Sequence, residues 1–363
     1  MLYPELDTPS VLLKIDVVEA NIARMAALGR EAGVKLRPHT KTHKSPEIAK
    51  LQLAAGASGI TVAKLGEAEV MADAGIDDIV IAFPLIGRQK LERLAALHRK
   101  IKIITSADSF EVAEGLSRVG EAVGQPVPVY LEVDTGLGRC GLMPGRETTE
   151  FARSLAGLSG IRVTGLMTHE GHAWKTTAHE EHGRIAKEAA EALAETAAAL
   201  RAEGFPCYEV SVGATPTSFH IDQVVGATEF RPGTYAFNDR NLLTMGYADE
   251  AACALTVLAT IVGRPAPTRV ILDTGSKTLS QDKISADPFM GRVTGHPDWT
   301  VTGLSEEHGI VQVPEGADIR IGERLELIPN HACVVTNLSD AFMTVRGGQV
   351  QGELAVAARG LSR

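Results

Sequence analysis

The stretch LRPHTKTHKSPEIA, residues 36–49, concentrates side chains that could do chemistry. Directly after an apolar, strand-like run it carries five basic residues, namely Arg37, His39, Lys41, His43 and Lys44. A basic surface patch would have this composition. So would an active site with a lysine at its centre, because like charges and desolvation lower the pKa of an amine and make it nucleophilic near neutral pH. We favour Lys41, because Lys44 immediately precedes Ser45 and Pro46, the pattern of a helix N-cap and first helical residue.

Two further strand ends could bind a phosphate. SVGATPTS, residues 211–218, is a Gly-containing turn with several hydroxyls, and its N–H groups and side chains could hold an anion. The next strand end adds Arg231 and Tyr235. A reactive lysine and a phosphate site on one face predict pyridoxal phosphate, which is anchored mainly by its phosphate. Arg139, on the tight turn VDTGLGRCG, could donate to the cofactor or form a salt bridge within its own loop.

The segment PNHACVV, residues 329–335, contains two side chains that could bind a metal ion. In a strand, residues two apart point the same way, so His331 and Cys333 would present an imidazole and a thiolate side by side. Both are good ligands for a borderline or soft divalent ion, zinc above all. Because H-x-C is also common by chance, a structural role for both residues is the alternative.

The elements that would position these groups alternate along the first two-thirds of the chain. Amphipathic helical segments separate eight strand-like runs, namely VKLRPH, GITVA, DIVIAF, IKIITS, VPVYLEV, RVTGLMTH, YEVSVG and TEFRPGTY. This alternation predicts an α/β fold, a parallel (β/α)8 TIM-like barrel rather than an open sheet. In such a barrel, Lys41, Arg139 and His169 would lie at the carboxyl ends of strands, on the face where chemistry occurs.

After about residue 245 the pattern changes to β-branched runs separated by turn residues, with no strong helix. The runs are CALTVLATIVGRP, TRVILDTG, RLELIPNHACVVTNL and DAFMTVRGGQVQGELAV. We therefore predict a barrel over residues 16–245 that binds the cofactor. An all-β C-terminal domain over residues 246–363, joined by residues 1–15, would carry the metal motif.

Composition excludes several classes of protein. The 363 residues carry a formal charge of −9, which argues against a nucleic-acid or anionic-membrane surface. No apolar run approaches the roughly 20 residues of a membrane helix, and the first residues do not have the pattern of a secretory signal. The four cysteines are scattered without a paired rhythm and fit reduced thiols. We expect a cytoplasmic protein that acts on a small molecule and has no nucleic-acid or membrane partner.

Seven ordered motifs together resemble one family. TPSVLLKID, LRPHTKTHKSPEIA, VDTGLGRCG, SVGATPT, FRPGTYAFND, LSEEHG and PNHACVVTNL resemble the D-threonine aldolase and D-serine dehydratase family, metal-assisted pyridoxal-phosphate relatives of alanine racemase. The resemblance covers nearly the whole chain and implies an alanine-racemase-like barrel followed by a β-domain, usually as a homodimer. It implies that Lys41 forms the Schiff base and that Arg139 contacts the cofactor. It also implies a phosphate site and a metal site, formed respectively by Gly213, Ala214, Thr215 and Tyr235, and by His331 and Cys333.

The motifs favour different branches of this family. At the metal motif, many D-threonine aldolases have a pattern similar to H-x-D, whereas this chain has His331, Ala332 and Cys333. A cysteine at the third position resembles the pattern of the dehydratase branch, and it favours zinc over manganese because of its softness. The aldolase branch often has a tyrosine where this chain offers His169 and His172, which also favours the dehydratase side. Either histidine could remove a hydroxyl proton, and structural hydrogen bonding is the alternative for each. DTGSKTLSQDK and FND resemble instead a D-threonine-aldolase-like group.

We predict cleavage of D-3-hydroxy-amino acids to glycine and an aldehyde, dependent on pyridoxal phosphate and a divalent metal, zinc or manganese. The first alternative is a dehydratase of D-serine or 3-hydroxyaspartate. An amino-acid racemase is weaker, because the tyrosine that would serve as a second base is not identifiable. A non-catalytic carrier of pyridoxal phosphate is also weaker, because a carrier has no use for a metal. The preference for D substrates follows from the resemblance alone.

Overall fold

The computed structural model describes residues 1–284 and 287–363, which form two compact units. The first, here the barrel unit, comprises residues 24–41, 46–233 and 361–363. The second, here the β unit, comprises residues 1–23, 42–45 and 234–360. The main boundary between the units falls between Gly233 and Thr234, whereas the sequence placed it at residue 245.

Strands and helices are numbered in chain order. The strands are β1 (Ser10–Lys14), β2 (Lys35–Leu36), β3 (Ile60–Val62), β4 (Asp78–Ile81), β5 (Lys102–Ala107), β6 (Val127–Glu132), β7 (Ile161–Met167), β8 (Glu209–Val212), β9 (Glu229–Phe230), β10 (Leu255–Ala266), β11 (Arg269–Leu272), β12 (Arg292–Val293), β13 (Thr300–Leu304), β14 (Gly309–Gln312), β15 (Arg324–Ile328), β16 (Ala341–Arg346) and β17 (Gln349–Ala355). The α-helices are α1 (Ile15–Ala32), α2 (Pro46–Ala54), α3 (Leu65–Asp73), α4 (Arg88–His98), α5 (Phe110–Val123), α6 (Arg146–Ser154), α7 (His179–Ala202), α8 (Thr215–Ser218), α9 (Arg240–Thr244), α10 (Ser276–Leu279) and α11 (Ala332–Leu338). Within the described residues, none of the helices is long and apolar enough to cross a membrane.

The barrel unit contains one parallel eight-stranded sheet, in the order β2-β9-β8-β7-β6-β5-β4-β3. The two ends of this order meet where His39, just beyond β2, forms a parallel bridge with Thr61 on β3. The predicted (β/α)8 barrel is therefore confirmed, and each of the eight predicted runs contains a strand. The strands read as apolar runs because side chains on both faces of a parallel sheet are covered.

The helices of the barrel unit follow from local sequence and close packing. α7 contains 24 residues rich in Ala and Glu, which are strong helix formers. α5 ends at Gly124 in the left-handed conformation, with φ 78°, which is a common helix C-terminus. Gly120 in α5 lies so close to Gly160, before β7, that a Cβ atom added to Gly120 would be 1.8 Å from the Gly160 carbonyl oxygen.

The β unit contains a nine-stranded sheet, in the order β11-β14-β13-β12-β15-β10-β1-β16-β17. A further pairing of β10 with β11 closes the strands from β10 to β15 into a small antiparallel barrel. The N-terminal strand β1 belongs to this sheet, pairing antiparallel with β10 and parallel with β16.

The run RLELIPNHACVVTNL was predicted as one strand, and this prediction is wrong. β15 ends at Ile328, and α11 begins at Ala332. The N–H of Ala332 donates to Oδ2 of Asp239 at 3.1 Å, which satisfies one of the donors that a helix leaves unpaired at its start. This tertiary contact overrides the weak helix propensity of the β-branched residues that follow. His331 and Cys333 consequently lie at the start of a helix and not on one face of a strand.

The contact between α5 and Gly160 generates a stability prediction. We expect Gly120→Ala to destabilise the protein by about 3 kcal/mol, because the new methyl group would overlap backbone atoms that cannot rotate away. Urea unfolding followed by circular dichroism measures the change.

Gly115→Ala, in the same helix, is the matched control. Its added Cβ meets only the flexible side chain of Leu91, at 3.1 Å from Cδ1, and alanine is the better helix former. We expect a change within about 1 kcal/mol for this variant. Equal unfolding midpoints for Gly120→Ala and wild type would contradict the packing described.

Candidate active site

Lys41 lies on a 3-10 helix, Thr40–Thr42, that directly follows the closure of the barrel. Its backbone N–H donates to Nδ1 of His39 at 3.3 Å. In the β unit, the N–H of Ser45 donates in the same way to Nδ1 of His43 at 3.2 Å. Both imidazoles of the basic stretch therefore support backbone turns. α2 begins at Pro46, as the N-cap pattern predicted.

Arg37, another cation of this stretch, has a structural environment. Its side chain is buried and donates to Glu229 at 2.6 Å and to Asp78 at 2.5 Å. These partners belong to β9 and β4. The Arg37 guanidinium is therefore not available for a ligand. Its two ion pairs connect the end of β2 with β4 and β9.

His169 follows β7 and lies close enough to the candidate lysine to be affected by its charge. Its Nδ1 lies 3.2 Å from the carbonyl oxygen of Gly213, so Nδ1 carries the proton and Nε2 has the free lone pair. Burial lowers the pKa of His169 to about 3, and the positive charges of Lys41 and Arg139 act in the same direction. The structure thus brings Lys41, Arg139 and His169 near one another, with the His169 ring neutral.

His172 lies on the 3-10 helix Gly171–Lys175, one turn further on. Its Nδ1 is shielded from solvent and has no hydrogen-bond partner among the described residues. Burial lowers the pKa of His172, while the charge of Asp134 opposes this shift. Gly136, with φ 127°, permits the close approach, because a Cβ there would lie 3.3 Å from the His172 ring. His172 is therefore a neutral imidazole with an unused nitrogen.

Asp134 organises the turn that carries Arg139. Its carboxylate accepts the N–H groups of Gly136, Leu137 and Gly138 at 2.9–3.1 Å. The Arg139 side chain is half exposed, and its guanidinium lies 3.8 Å from a carboxylate oxygen of Glu132 at the end of β6. This long ion pair is made with a strand residue and not within the loop, as the alternative from the sequence had it, and the half-exposed guanidinium could still contact a ligand.

The first two N–H groups of the Gly213 turn already donate to acceptors within the protein. Gly213 donates to the Glu170 carboxylate at 2.9 and 3.1 Å, and the N–H of Ala214 donates to Oγ1 of Thr217 at 3.0 Å. Oγ1 of Thr215 accepts the N–H of Gly233 at 3.2 Å and retains a proton that it can donate. Of the three predicted phosphate residues on this turn, Thr215 has the most suitable donor.

Arg231 follows β9 and completes the polar end of the barrel unit. Its side chain is buried and donates to the hydroxyl of Ser211 and, at 2.5 Å, to the carbonyl oxygen of Thr168. Its charge also contributes to the low pKa of His169. Tyr235 is buried on the 3-10 helix Thr234–Ala236 of the β unit, and its predicted contact with a phosphate stays a prediction.

The predicted metal pair lies in the β unit. Nδ1 of His331 donates to Oδ2 of Asp282 at 2.8 Å, which orients the ring and makes Nε2 the ligand nitrogen. Sγ of Cys333 lies 3.2 Å from Oγ1 of Thr42. Burial alone lowers the pKa of His331, but the charges of Cys333 and Asp239 and the bond to Asp282 outweigh it and raise the pKa to about 10. These neighbours favour a positive charge at the site.

The donor set fits a divalent ion held by two protein ligands. Within the described residues, no group of three or more His, Cys, Asp or Glu side chains has the arrangement of a metal site. Two ligands leave coordination positions for water or substrate, as a catalytic metal requires. The sequence did not single out Asp239 and Asp282, although FND and DTGSKTLSQDK, the motifs that contain them, were noted. Asp239 had one local signal, because an Asp before a helical run is a common N-cap, and it caps α9.

Family models match both units. The alanine racemase N-terminal domain matches residues 13–241, and a serine dehydratase domain matches residues 254–345. A D-threonine aldolase of an Arthrobacter species is 37% identical over 364 residues, covering 98% of this chain and 94% of that protein. The D-threo-3-hydroxyaspartate dehydratase of Delftia sp. strain HT23 is 34% identical, covering 95% and 96% respectively.

Solved structures agree with these matches. The D-threonine aldolase from Filomicrobium marinum gives a TM-score of 0.92 at 32% identity, covering 99% of this chain and 97% of that chain. A mutant D-threo-3-hydroxyaspartate dehydratase in a metal-free form gives a TM-score of 0.90 at 34% identity, covering 96% and 97%. The chain therefore belongs to the D-threonine aldolase and D-serine dehydratase family, with its alanine-racemase-like fold, as the seven motifs predicted.

Proposed function

We propose that this protein cleaves D-3-hydroxy-amino acids of the D-threonine type to glycine and an aldehyde, using pyridoxal phosphate and a divalent metal. The observation that carries the proposal is the neutral His172 ring, whose Nδ1 has no hydrogen-bond partner among the described residues. Cleavage of the Cα–Cβ bond requires a base that removes the β-hydroxyl proton, whereas loss of hydroxide requires an acid, which can be a proton donor or the metal. A neutral imidazole can act as that base through its unprotonated nitrogen, and it is a far weaker acid than an imidazolium. The 37% identity to a D-threonine aldolase supports the same choice.

The barrel unit supports the pyridoxal-phosphate part of the proposal. The amine of Lys41 would join the cofactor aldehyde, and Arg139 would contact the cofactor. The hydroxyl of Thr215 would donate to its phosphate, beside the turn that Gly213 and Ala214 form. Pyridoxal phosphate supplies an electron sink for the pair of electrons left on Cα when the bond breaks.

The β unit supports the metal part of the proposal. His331 and Cys333 would hold the ion, with Asp282 orienting the imidazole. A divalent metal supplies Lewis acidity towards a bound hydroxyl group. The thiolate ligand favours zinc over manganese because of its softness.

Removal of the hydroxyl proton is assigned to a residue of the chain. His172 takes the proton of the β-hydroxyl, and the carbonyl double bond of the aldehyde forms as the Cα–Cβ bond breaks. A proton returned to Cα then completes glycine. His169, whose pKa is about 3, is too weak a base for this work at neutral pH. Its role is to hold the Gly213 peptide and to accept a hydrogen bond at Nε2.

Dehydration of D-serine or 3-hydroxyaspartate is the second candidate function. Cys333 favours this function, because a cysteine at this position resembles the metal motif of the dehydratase branch. The 34% identity to the Delftia dehydratase supports it as well. Homodimerisation and a cytoplasmic location stay predictions.

The first prediction concerns the products. Purified protein with pyridoxal phosphate and zinc or manganese is expected to release acetaldehyde and glycine from D-threonine. His172→Asn should lower kcat about a hundredfold, because it removes the base. Coupled assays with alcohol dehydrogenase and amino-acid chromatography measure both products.

His179→Asn, the same change on the exposed start of α7, is the control and should retain the wild-type rate. Release of 2-oxobutyrate and ammonia from D-threonine, or of pyruvate and ammonia from D-serine, would instead support the dehydratase.

The second prediction concerns Lys41. Lys41→Ala should lose the visible absorption band of covalently bound pyridoxal phosphate, because no other amine is placed to join the aldehyde in this proposal. Absorption spectroscopy after gel filtration measures this, and Lys44→Ala is the matched control. An unchanged band in Lys41→Ala would contradict the assignment of the lysine.

The third prediction concerns the metal. Cys333→Ala should lose bound zinc, and Asp282→Asn should weaken zinc binding about tenfold, because the His331 ring loses its charged orienting partner. Competition with a fluorescent chelator measures affinity, with Asp298→Asn as the exposed control. Full activity after treatment with EDTA would show that the metal assignment is wrong.

A further inference from the structure

Glu170 is a deeply buried carboxyl group that the proposed mechanism does not use. It lies between His169 and Gly171 after β7, and its side chain is about 1% exposed. Removing a carboxyl group from water is costly unless protein donors replace the lost hydration. Here the replacements are the N–H of Gly213, at 2.9 and 3.1 Å, and Oγ1 of Thr217, at 3.4 Å. The carboxyl group is therefore bonded to both ends of the predicted phosphate turn.

The two polar groups of residue 213 are held by two consecutive residues of the β7 loop. The Gly213 N–H donates to Glu170, and the Gly213 carbonyl oxygen accepts from His169 at 3.2 Å. Gly213 has φ 123°, and a Cβ there would lie 2.7 Å from the backbone nitrogen of Arg231. The conformation of this peptide is thus fixed by its lack of a side chain and by these two bonds.

The groups around Glu170 provide little compensation for a negative charge. A cavity of about 10 Å³ adjoins the carboxyl group, which is at the lower limit for one water molecule. The faces of α7, β8 and α8 that line it contribute only non-titrating side chains, such as Ala186 and Thr217. On the same loop His169 is neutral, and after β9 the cation is Arg231, which also bonds Ser211 and Thr168.

A phosphate on this turn would add a second negative charge. The carboxylate and the phosphate would contact the same short segment, and charges in a poorly hydrated environment repel strongly. A protonated carboxyl group avoids this repulsion and still accepts the N–H of Gly213 through its carbonyl oxygen.

We propose that Glu170 is a positioning residue for the cofactor phosphate, which fixes the Gly213–Thr217 turn through its carboxyl oxygens and is protonated when the phosphate is bound. The role rests on the proposed use of pyridoxal phosphate. Burial raises the pKa of Glu170 to about 7, with Arg231 and the Gly213 bond opposing it, so the proton is already present at slightly acidic pH. Above that pH, binding of the phosphate must take up a proton, and affinity falls as pH rises.

The test titrates apoenzyme with pyridoxal phosphate and, separately, with pyridoxal, which lacks the phosphate, between pH 6 and pH 9. Glu170→Gln keeps an acceptor and carries no charge. It should match the wild-type Kd for pyridoxal phosphate near pH 6 and bind about tenfold more tightly than wild type at pH 8. Glu170→Ala leaves the Gly213 N–H without its acceptor and should bind pyridoxal phosphate about tenfold more weakly at pH 6. Both variants should bind pyridoxal like wild type.

Glu180→Gln, an exposed change of the same type at the start of α7, is the matched control, and circular dichroism verifies folding of each variant. A constant ratio of Kd between wild type and Glu170→Gln across the pH range would overturn the proton uptake. Equal weakening for pyridoxal and pyridoxal phosphate in Glu170→Ala would overturn the phosphate-specific role. Wild-type protein that binds no pyridoxal phosphate would instead overturn the proposed function, and this inference with it.

Discussion

The position of Lys41 depends on how the parallel barrel closes. At the seam between β2 and β3, the N–H of Thr61 donates to the carbonyl oxygen of Pro38 at 2.8 Å, and its hydroxyl donates to that of Arg37 at 3.2 Å. The hydroxyl of Thr40 donates to the carbonyl oxygen of Thr61 at 3.2 Å. These bonds fix the backbone immediately before Lys41. A reactive side chain on a backbone held this way has only its own rotamers to adjust, which is what a preorganised site requires.

A buried polar network connects this seam with the far side of the candidate site. Arg37 pairs with Asp78 and Glu229, Glu229 accepts the hydroxyl of Ser211 at 2.6 Å, and Ser211 in turn accepts from Arg231. Each group is satisfied by the next, and removing one partner of such a buried charge costs about 3–5 kcal/mol. The cations that the sequence places around the candidate site therefore divide into two sets. One set is structural and includes Arg37, and the other includes Lys41 and Arg139, whose charges act on His169.

The sequence was sufficient for the architecture, and it predicts where a site would lie. Short apolar runs at regular spacing define the eight parallel strands, and polar residues at their carboxyl ends must share one face.

The hydrogen-bonding roles of His39 and His43 could not be predicted, because they depend on local turn geometry. Nor could the helix that begins at Ala332, whose first N–H bonds Asp239, a residue distant in the sequence. Asp282 reaches His331 through the same kind of long-range contact. Pattern and propensity describe neighbours in sequence, and these are contacts made only by the folded chain.

On the proposed function, the metal ligands do not by themselves choose between carbon–carbon cleavage and loss of hydroxide. A Lewis acid bound to the β-hydroxyl assists removal of its proton and its departure alike. The choice then depends on the protonation of the group beside the hydroxyl. His169 is kept neutral by burial and by Lys41, and its tautomer is fixed by the Gly213 carbonyl oxygen. His172 is also neutral and has an unused nitrogen among the described residues. A neutral imidazole is a far weaker proton donor than an imidazolium, and on the proposed function this difference favours cleavage over loss of hydroxide.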